Sequence, residues 1–167
     1  ETSMDGLEVE GIWMPTSTLT LRAALGTLDA NYDSYDYAGR DISNVAQLLY
    51  APELTWSFGA EHISQMFGGE LILTANYSFQ DEVFTQTPWA IYDPATFPKI
   101  TIDDWESLDI SATYLRDTEN GTFKVILYGT DVLEDGNRVQ RRYTTGSFTW
   151  AELAPRQQFG ITIGYEF

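Results

Sequence analysis

The chain has 167 residues, enough for one domain, and carries 25 acidic against 9 basic side chains for a formal charge of −16. That balance disfavours nonspecific nucleic-acid binding, which needs clustered Lys and Arg, and the absence of cysteine removes disulfide scaffolds, cysteine-ligated zinc and thiol chemistry. No apolar run approaches the roughly 18 residues of a membrane helix; this excludes helical spans but not a transmembrane barrel, whose alternating strands escape hydropathy.

The first segment, Asp5 to Met14, alternates Leu7, Val9 and Trp13 against Glu8 and Glu10, the period of a strand with two unlike faces. Pro15-Thr16-Ser17-Thr18 reads as a short turn. From Thr18 to about Tyr32, Leu19, Leu21, Ala23 and Leu25 oppose Thr20, Arg22, Ala24 and Gly26. A long polar and aromatic loop follows, from about Asp33 to Tyr50. Ala51-Pro52-Glu53 leads into a third strand, with Leu54, Trp56, Phe58 and Ala60 on one face and Thr55, Ser57, Gly59 and Glu61 on the other. Phe67-Gly68-Gly69 predicts a tight turn, since glycine adopts positive φ at little cost. From Glu70 to Phe84 the spacing predicts a fourth strand, with Leu71, Leu73, Ala75, Tyr77 and Phe79 opposing Ile72, Thr74, Asn76, Ser78 and Gln80.

A second long loop is expected from about Thr85 to Glu106. Leu108, Ile110, Ala112 and Tyr114 then alternate with Asp109, Ser111 and Thr113 in a fifth strand. Asp117 to Gly121 predicts a hairpin turn around Asn120-Gly121. Phe123, Val125 and Leu127, against Lys124 and Tyr128, form a sixth strand, and a third long loop runs from about Glu134 to Pro155. The last strand is the cleanest. Phe159, Ile161, Ile163, Tyr165 and Phe167 share one side, and Gly160, Thr162, Gly164 and Glu166 the other.

A strand running to a final aromatic residue is unusual for a soluble domain, whose termini fray. It resembles the closing strand of a bacterial outer-membrane barrel. The Pro155-Arg156 pair before it, and Ala51-Pro52-Glu53 before the third strand, are similar to the TonB-dependent receptors, transporters of about 22 strands. Asp5-Gly6-Leu7-Glu8 and Asp29-Ala30-Asn31-Tyr32-Asp33 match the order in which a Gly-hydrophobe-Glu strand, a Pro turn and an Asp/Tyr-rich strand end recur there. One element departs. The penultimate strand of the family ends in an Asn-Leu-x-Asp-like motif, where this chain has Tyr128 to Asp135, with Asp131 and Glu134 at the motif's polar positions. The resemblance covers essentially all 167 residues.

The fold expected is therefore all-β, an antiparallel transmembrane β-barrel segment of about seven strands, with turns alternating short and long as in outer-membrane barrels. Seven is odd, whereas bacterial single-chain barrels have even numbers, and an open sheet leaves costly unpaired edges in lipid. Residues 1–167 are thus expected to be the C-terminal portion of a larger barrel, without its plug domain. The resemblance implies uptake of a scarce nutrient (siderophore or metal chelate, vitamin or glycan) across the outer membrane of a Gram-negative bacterium. It implies as partners the remaining barrel strands and plug, in the same or another chain, TonB through the plug, the barrel assembly machinery, and outer-membrane lipid and lipopolysaccharide. Alternatives are a structural outer-membrane subunit of a larger envelope complex, a stand-alone barrel of eight strands, and a soluble β-sandwich that binds carbohydrate.

No catalytic constellation, cofactor motif or metal site is expected. The lone His62 lacks partners for metal or base work. Asp29-x-Asn31-x-Asp33, with Asp36, opens like a calcium loop but has Ser34 and Arg40 where Gly and Glu are required. Random pairs such as Asp103-Asp104 are inevitable among so many carboxylates. Trp13, Trp56, Tyr77, Phe79, Tyr114, Tyr165 and Phe167 sit near strand ends, as interfacial girdles do. Trp89, Tyr92, Phe97 and Trp105 in the second long loop are candidates to line a ligand vestibule by stacking. Phe159, Ile161, Ile163, Tyr165 and Phe167 are the candidate assembly signal, a role that the resemblance implies.

Overall fold

The computed structural model describes residues 1–86, 100–133, 138–145 and 148–167. Among these residues are thirteen strands: β1 (Thr2–Thr16), β2 (Leu19–Tyr32), β3 (Asp36–Tyr37), β4 (Arg40–Asp41), β5 (Leu54–Met66), β6 (Gly69–Gln80) and β7 (Val83–Phe84) come first. β8 (Thr101–Ile102), β9 (Trp105–Thr118), β10 (Gly121–Thr130), β11 (Val139–Thr144), β12 (Thr149–Leu153) and β13 (Gln158–Glu166) complete them. Seven long strands form one antiparallel sheet in the order β1-β2-β5-β6-β9-β10-β13, each beside its neighbour among the long strands of the chain. The other six pair as β3–β4, β7–β8 and β11–β12 within the three long loops.

The seven expected strands are all present, with two differences. The fourth ends at Gln80 rather than Phe84, because Val83 and Phe84 leave the sheet to pair with Ile102 and Thr101. The long loops also carry regular structure. The β11–β12 hairpin pairs Tyr143 with Trp150, and β3–β4 closes through Ala38 and Gly39 at φ of 53° and 78°.

Tight turns gather at one end of the sheet. Met66 pairs with Gly69 across Phe67-Gly68, whose φ values of 53° and 74° are those of a two-residue hairpin with both residues left-handed. Phe67, not Gly69, takes the first positive φ. Gly69 is needed for space: a Cβ there would lie 2.3 Å from the carbonyl oxygen of Leu115. Between β9 and β10 the loop is Glu119-Asn120, since Thr118 pairs with Gly121. The Asn120-Gly121 signal thus marks the turn one residue late. In β1, register slips between Trp13 and Thr16, where Pro15 cannot donate to the ladder.

The sheet is one layer thick. Among the described residues, the buried hydrophobic side chains are Ile42, Ala46, Val83, Ile100, Ile102 and Ala154, and none belongs to the seven long strands. All sit at the loop end. Ile42 and Ala46 pack with Tyr32 and Tyr35, and Ile100 is fully buried. A soluble sandwich would bury its aromatic residues between two sheets. Here the described residues provide no second large sheet.

Candidate functional site

Cross-strand register assigns the faces. Leu25, Trp56 and Phe79 lie in one row, and Leu73, Ala112, Leu127 and Ile161 in another. The face they share is the apolar one read from the alternation of each strand. Its side chains stand open: Leu7, Trp13, Phe58, Leu127, Ile161 and Ile163 are 45% to 65% exposed. Charged groups on this face stand near strand ends, at Asp5, Asp29, Glu106 and Arg116; His62 lies four residues from the end of β5. His62 faces Leu19 and Leu73 across the ladder, with no constellation around it.

Aromatics border the apolar face at both ends. Toward the loops, Trp56 stacks on Tyr77 at 4.9 Å and on Phe79 at 6.0 Å, and the Tyr77 hydroxyl donates to Glu106. Toward the turns stand Trp13, Tyr114, Tyr165 and Phe167. Tyr114 donates to the Phe67 carbonyl at 3.0 Å and so ties the turn to β9, while Tyr165 stacks on Phe167. The three tyrosines each put a ring on the apolar side and a hydroxyl on a polar partner at the border, Tyr77 on Glu106, Tyr114 on the Phe67 carbonyl and Tyr165 with Thr118.

Two consecutive pairs of β10 and β13 show how glycine is used here. Tyr128 opposes Gly160 on the polar face, and its ring lies 2.3 Å from where a Cβ of Gly160 would be. Gly129 opposes Phe159 on the apolar face, whose ring lies 2.8 Å from the corresponding point. Each aromatic ring covers the glycine across from it, which fixes register on both faces at once.

The polar face carries short hydroxyl and amide side chains in its middle and toward the loops, with Ile12, Ile63, Ile72, Leu115 and Ile126 nearer the turns. Thr74 and Ser111 share a hydrogen bond of 2.8 Å, and Arg22 meets Glu61 at 4.0 Å. Near the loop end a recess of about 260 Å³ is bordered by Gly26, Thr55, Ser57, Gln80 and Trp105. Trp105 is the one vestibule candidate among the described residues; Trp89, Tyr92 and Phe97 lie outside them. Its ring carries the Arg138 guanidinium at 4.8 Å, and Arg138 donates to Asp131 at 2.7 Å. Asp131, buried and at φ 53°, in turn donates its backbone N–H to Asp109. This chain of contacts anchors the third loop to β9. Sequence pattern misses it because the arginine lies in a loop and pairs with a position where the family motif departs.

The loop ends are tied together. Tyr50 donates to the Phe84 carbonyl, Thr85 to that of Ile100, and Thr144 to the Gln86 side chain, which joins all three long loops. Asp41 organises the first loop by accepting from the backbone N–H groups of Ser43 at 2.9 Å and Tyr35 at 3.0 Å. Those two bonds hold its carboxyl below the ordinary carboxylate value. An acidic cup of about 340 Å³ opens between Asp29, Asn31, Gln47, Glu53, Asp81 and Glu82. Asp29 accepts from Asn31, Asp33 from Ser3 and Asp36 from Gly39, so the three carboxylates of the calcium-like run serve separate local bonds. Among the described residues, no group of three or more His, Asp or Glu is arranged to hold a metal ion.

The fold has a solved counterpart. It matches the crystal structure of BauA, the ferric preacinetobactin receptor from Acinetobacter baumannii, with a TM-score of 0.75. Identity is 16%, so the likeness is one of fold, and the match covers 99% of this chain but 22% of that one. Neither a protein-family model nor a curated protein sequence matches the chain. The chain thus shares its single-layer antiparallel architecture with about a fifth of a ferric siderophore receptor. Among the described residues no helix is long and apolar enough to cross a membrane, which leaves crossing by strands open.

Proposed function

We propose that the seven-stranded sheet is membrane-spanning wall in the barrel of a TonB-dependent receptor. Its apolar face would meet lipid and its polar face the lumen, in the outer membrane of a Gram-negative bacterium. The observation that carries this reading is the exposed apolar face of a sheet that buries no hydrophobic side chain of its own. In water, so large a continuous apolar surface would drive association. In lipid it is the required solvent contact.

Dimensions support the reading. Glu106 and Arg116, the charged borders of the apolar face on β9, are ten residues apart, or ~34 Å along the strand. At the ~40° tilt of outer-membrane barrels this spans ~26 Å of depth, close to their ~25 Å apolar band. The tight turns then face the periplasm and the long loops the outside. The two sheet edges, β1 and β13, would pair with further strands, and the plug and TonB would act through those other parts of the receptor.

The activity proposed is uptake of a scarce nutrient, for which the fold of a ferric siderophore receptor favours a metal chelate. This chain supplies wall, loops and a terminal aromatic strand for assembly. The recess at Trp105 lies on the lumenal face near the loop end, where a descending ligand would pass. The test is membrane fractionation of the native protein, with electrophoresis before and after boiling, joined to uptake of labelled ferric chelates with and without TonB. Outer-membrane location, heat-shifted migration and TonB-dependent uptake are expected. A folded monomer in detergent-free buffer overturns the membrane reading, and membrane location without uptake of any chelate overturns the transport reading.

A further inference from the structure

Glycine inside a strand weakens folding about two- to fivefold relative to alanine, so its presence there asks for a reason. The seven long strands hold nine glycines, and for seven of them the reason is visible: an added Cβ would lie under 3.0 Å from an atom of a neighbouring strand. The two exceptions are Gly11 on β1 and Gly164 on β13. Nothing lies within 4 Å of the point where either Cβ would stand. Neither has a positive φ, so the backbone does not call for glycine either. Both belong to the two edge strands of the sheet.

Each open glycine has one neighbour inside the chain, Ala23 across from Gly11 and Lys124 across from Gly164, and neither covers it. The other neighbour of each lies beyond the edge. The sheet shows what such a neighbour does on either face. On the polar face the Tyr128 ring covers Gly160, which lies on the same side of β13 as Gly164 and four residues from it. On the apolar face the Phe159 ring covers Gly129. Gly11 stands on that apolar face between Val9 and Trp13, 52% and 65% exposed, and the small Ala23 beside it widens the opening to the breadth of two strands.

Strand direction limits what can lie beyond the edges. β1 and β13 are the first and seventh strands of an antiparallel sheet, so both run from the loop end to the turn end. A second copy of this sheet in the same orientation would set its β1 parallel to β13. It could pair antiparallel only upside down, with its long loops among the tight turns. We infer that each edge receives a strand other than a copy of this chain's own, running from the turn end to the loop end and carrying an aromatic side chain across from the glycine. That ring would cover Gly11 on the apolar face and Gly164 on the polar face, and so fix the register of both joints. The inference rests on the barrel reading above and adds to it the chemistry of the joining strands.

Alanine at each site tests this by the sign of its effect, in protein extracted from its membrane, reassembled in phospholipid vesicles and unfolded by denaturant. A methyl group beneath a covering ring collides with it, so Gly11→Ala and Gly164→Ala should each shift the equilibrium toward the unfolded state by roughly 5- to 150-fold. At an open site alanine only relieves the cost of glycine and stabilises by about two- to fivefold, a result that overturns the proposal. A second measurement serves where a variant does not assemble. Protein with benzoylphenylalanine in place of Val9 or Thr162, each two residues from the glycine on the same face, is irradiated, and peptide mass spectrometry identifies the strand captured. Phe, Tyr or Trp across from the glycine is expected; another residue type there, or capture of a second copy of β1 or β13, overturns the proposal. Any of these adverse results in a membrane-embedded, heat-modifiable protein leaves the barrel reading intact, whereas a monomer folded without detergent overturns both.

Discussion

Replacing Leu127 by Arg separates a lipid-facing sheet from a sheet exposed to water. Leu127 is 52% exposed on the apolar face and pairs with Ala112, six residues from Glu106 and four from Arg116 along β9. Those intervals are ~20 Å and ~14 Å of strand, or ~15 Å and ~10 Å of depth at a tilt of ~40°. Leu127 therefore sits near the middle of the apolar band. An arginine at that depth costs ~2–4 kcal/mol, whereas one near an interface costs ~0–1 kcal/mol. Leu127→Arg should accordingly shift the unfolding equilibrium by ~30- to 900-fold, and Tyr165→Arg, toward the turn border, by about fivefold or less. The assay is reversible denaturant unfolding of the assembled protein in phospholipid vesicles, followed by tryptophan emission. If water covered this face, both half-exposed sites would tolerate Arg within about 0.5 kcal/mol. Equal, small effects at the two positions would therefore refute the argument. A large effect at both would point to a protein-covered face, since only lipid grades the cost by depth.

Phe167 is 99% exposed, so Phe167→Ala should change the stability of assembled protein by less than about 0.5 kcal/mol, yet lower the assembled yield in cells if the terminal aromatic strand acts as an assembly signal. Unfolding in vesicles and heat-modifiable yield measure the two separately. Gly160→Ala places a methyl against the Tyr128 ring and should cost ~1–3 kcal/mol; Tyr128→Ala should recover part of that cost in a double-mutant cycle. Asp41 has a folded-state value below its ordinary one, so its stabilisation of the first loop is complete above pH ~4 and lost as pH falls through the lower folded value. Pepsin cleavage within residues 33–53 should rise steeply over that acid range, and Asp41→Asn should show raised cleavage with a flatter pH response. Asp131→Asn weakens a charged hydrogen bond to Arg138 and should loosen the third loop by ~1–3 kcal/mol, seen as faster amide exchange over 138–145.

The seven long strands were legible because each alternates on its own. Leu71 to Phe79 and Phe159 to Phe167 state their faces without help from neighbours, and antiparallel pairing then needs only the short turns. What escaped the pattern lies at the loop end. Val83 and Phe84 continue the alternation of β6, yet they leave the sheet for Ile102 and Thr101, a choice made by burial at Ile100 rather than by local period. Asp131, Arg138 and Trp105 lie in separate segments, and no spacing rule relates a loop arginine to an indole 33 residues earlier. Asn120-Gly121 carried the right turn at the wrong centre, because Gly121 is required by the close approach of the Glu166 carbonyl rather than by the hairpin bend.

The placement of polar and apolar groups along the chain argues for a wall rather than a free-standing domain. A sandwich stabilises itself by covering its apolar face, and its core falls between the sheets. Among the described residues, buried hydrophobic side chains occur only in the loop-end cap, while the apolar face of the sheet stays open from Leu7 on β1 to Ile163 on β13. The charged groups fall on the other side of that division: carboxylates border the face, line the loops and sit on the polar face, where they remain hydrated. Such a sheet has two surfaces suited to two different solvents. Among the described residues both edges of the sheet, β1 and β13, are unpaired, and on the proposed membrane reading hydrocarbon could not satisfy their free N–H and C=O groups. On the proposed reading, further strands at both edges would satisfy those groups; the likeness to the ferric preacinetobactin receptor covers 22% of that chain.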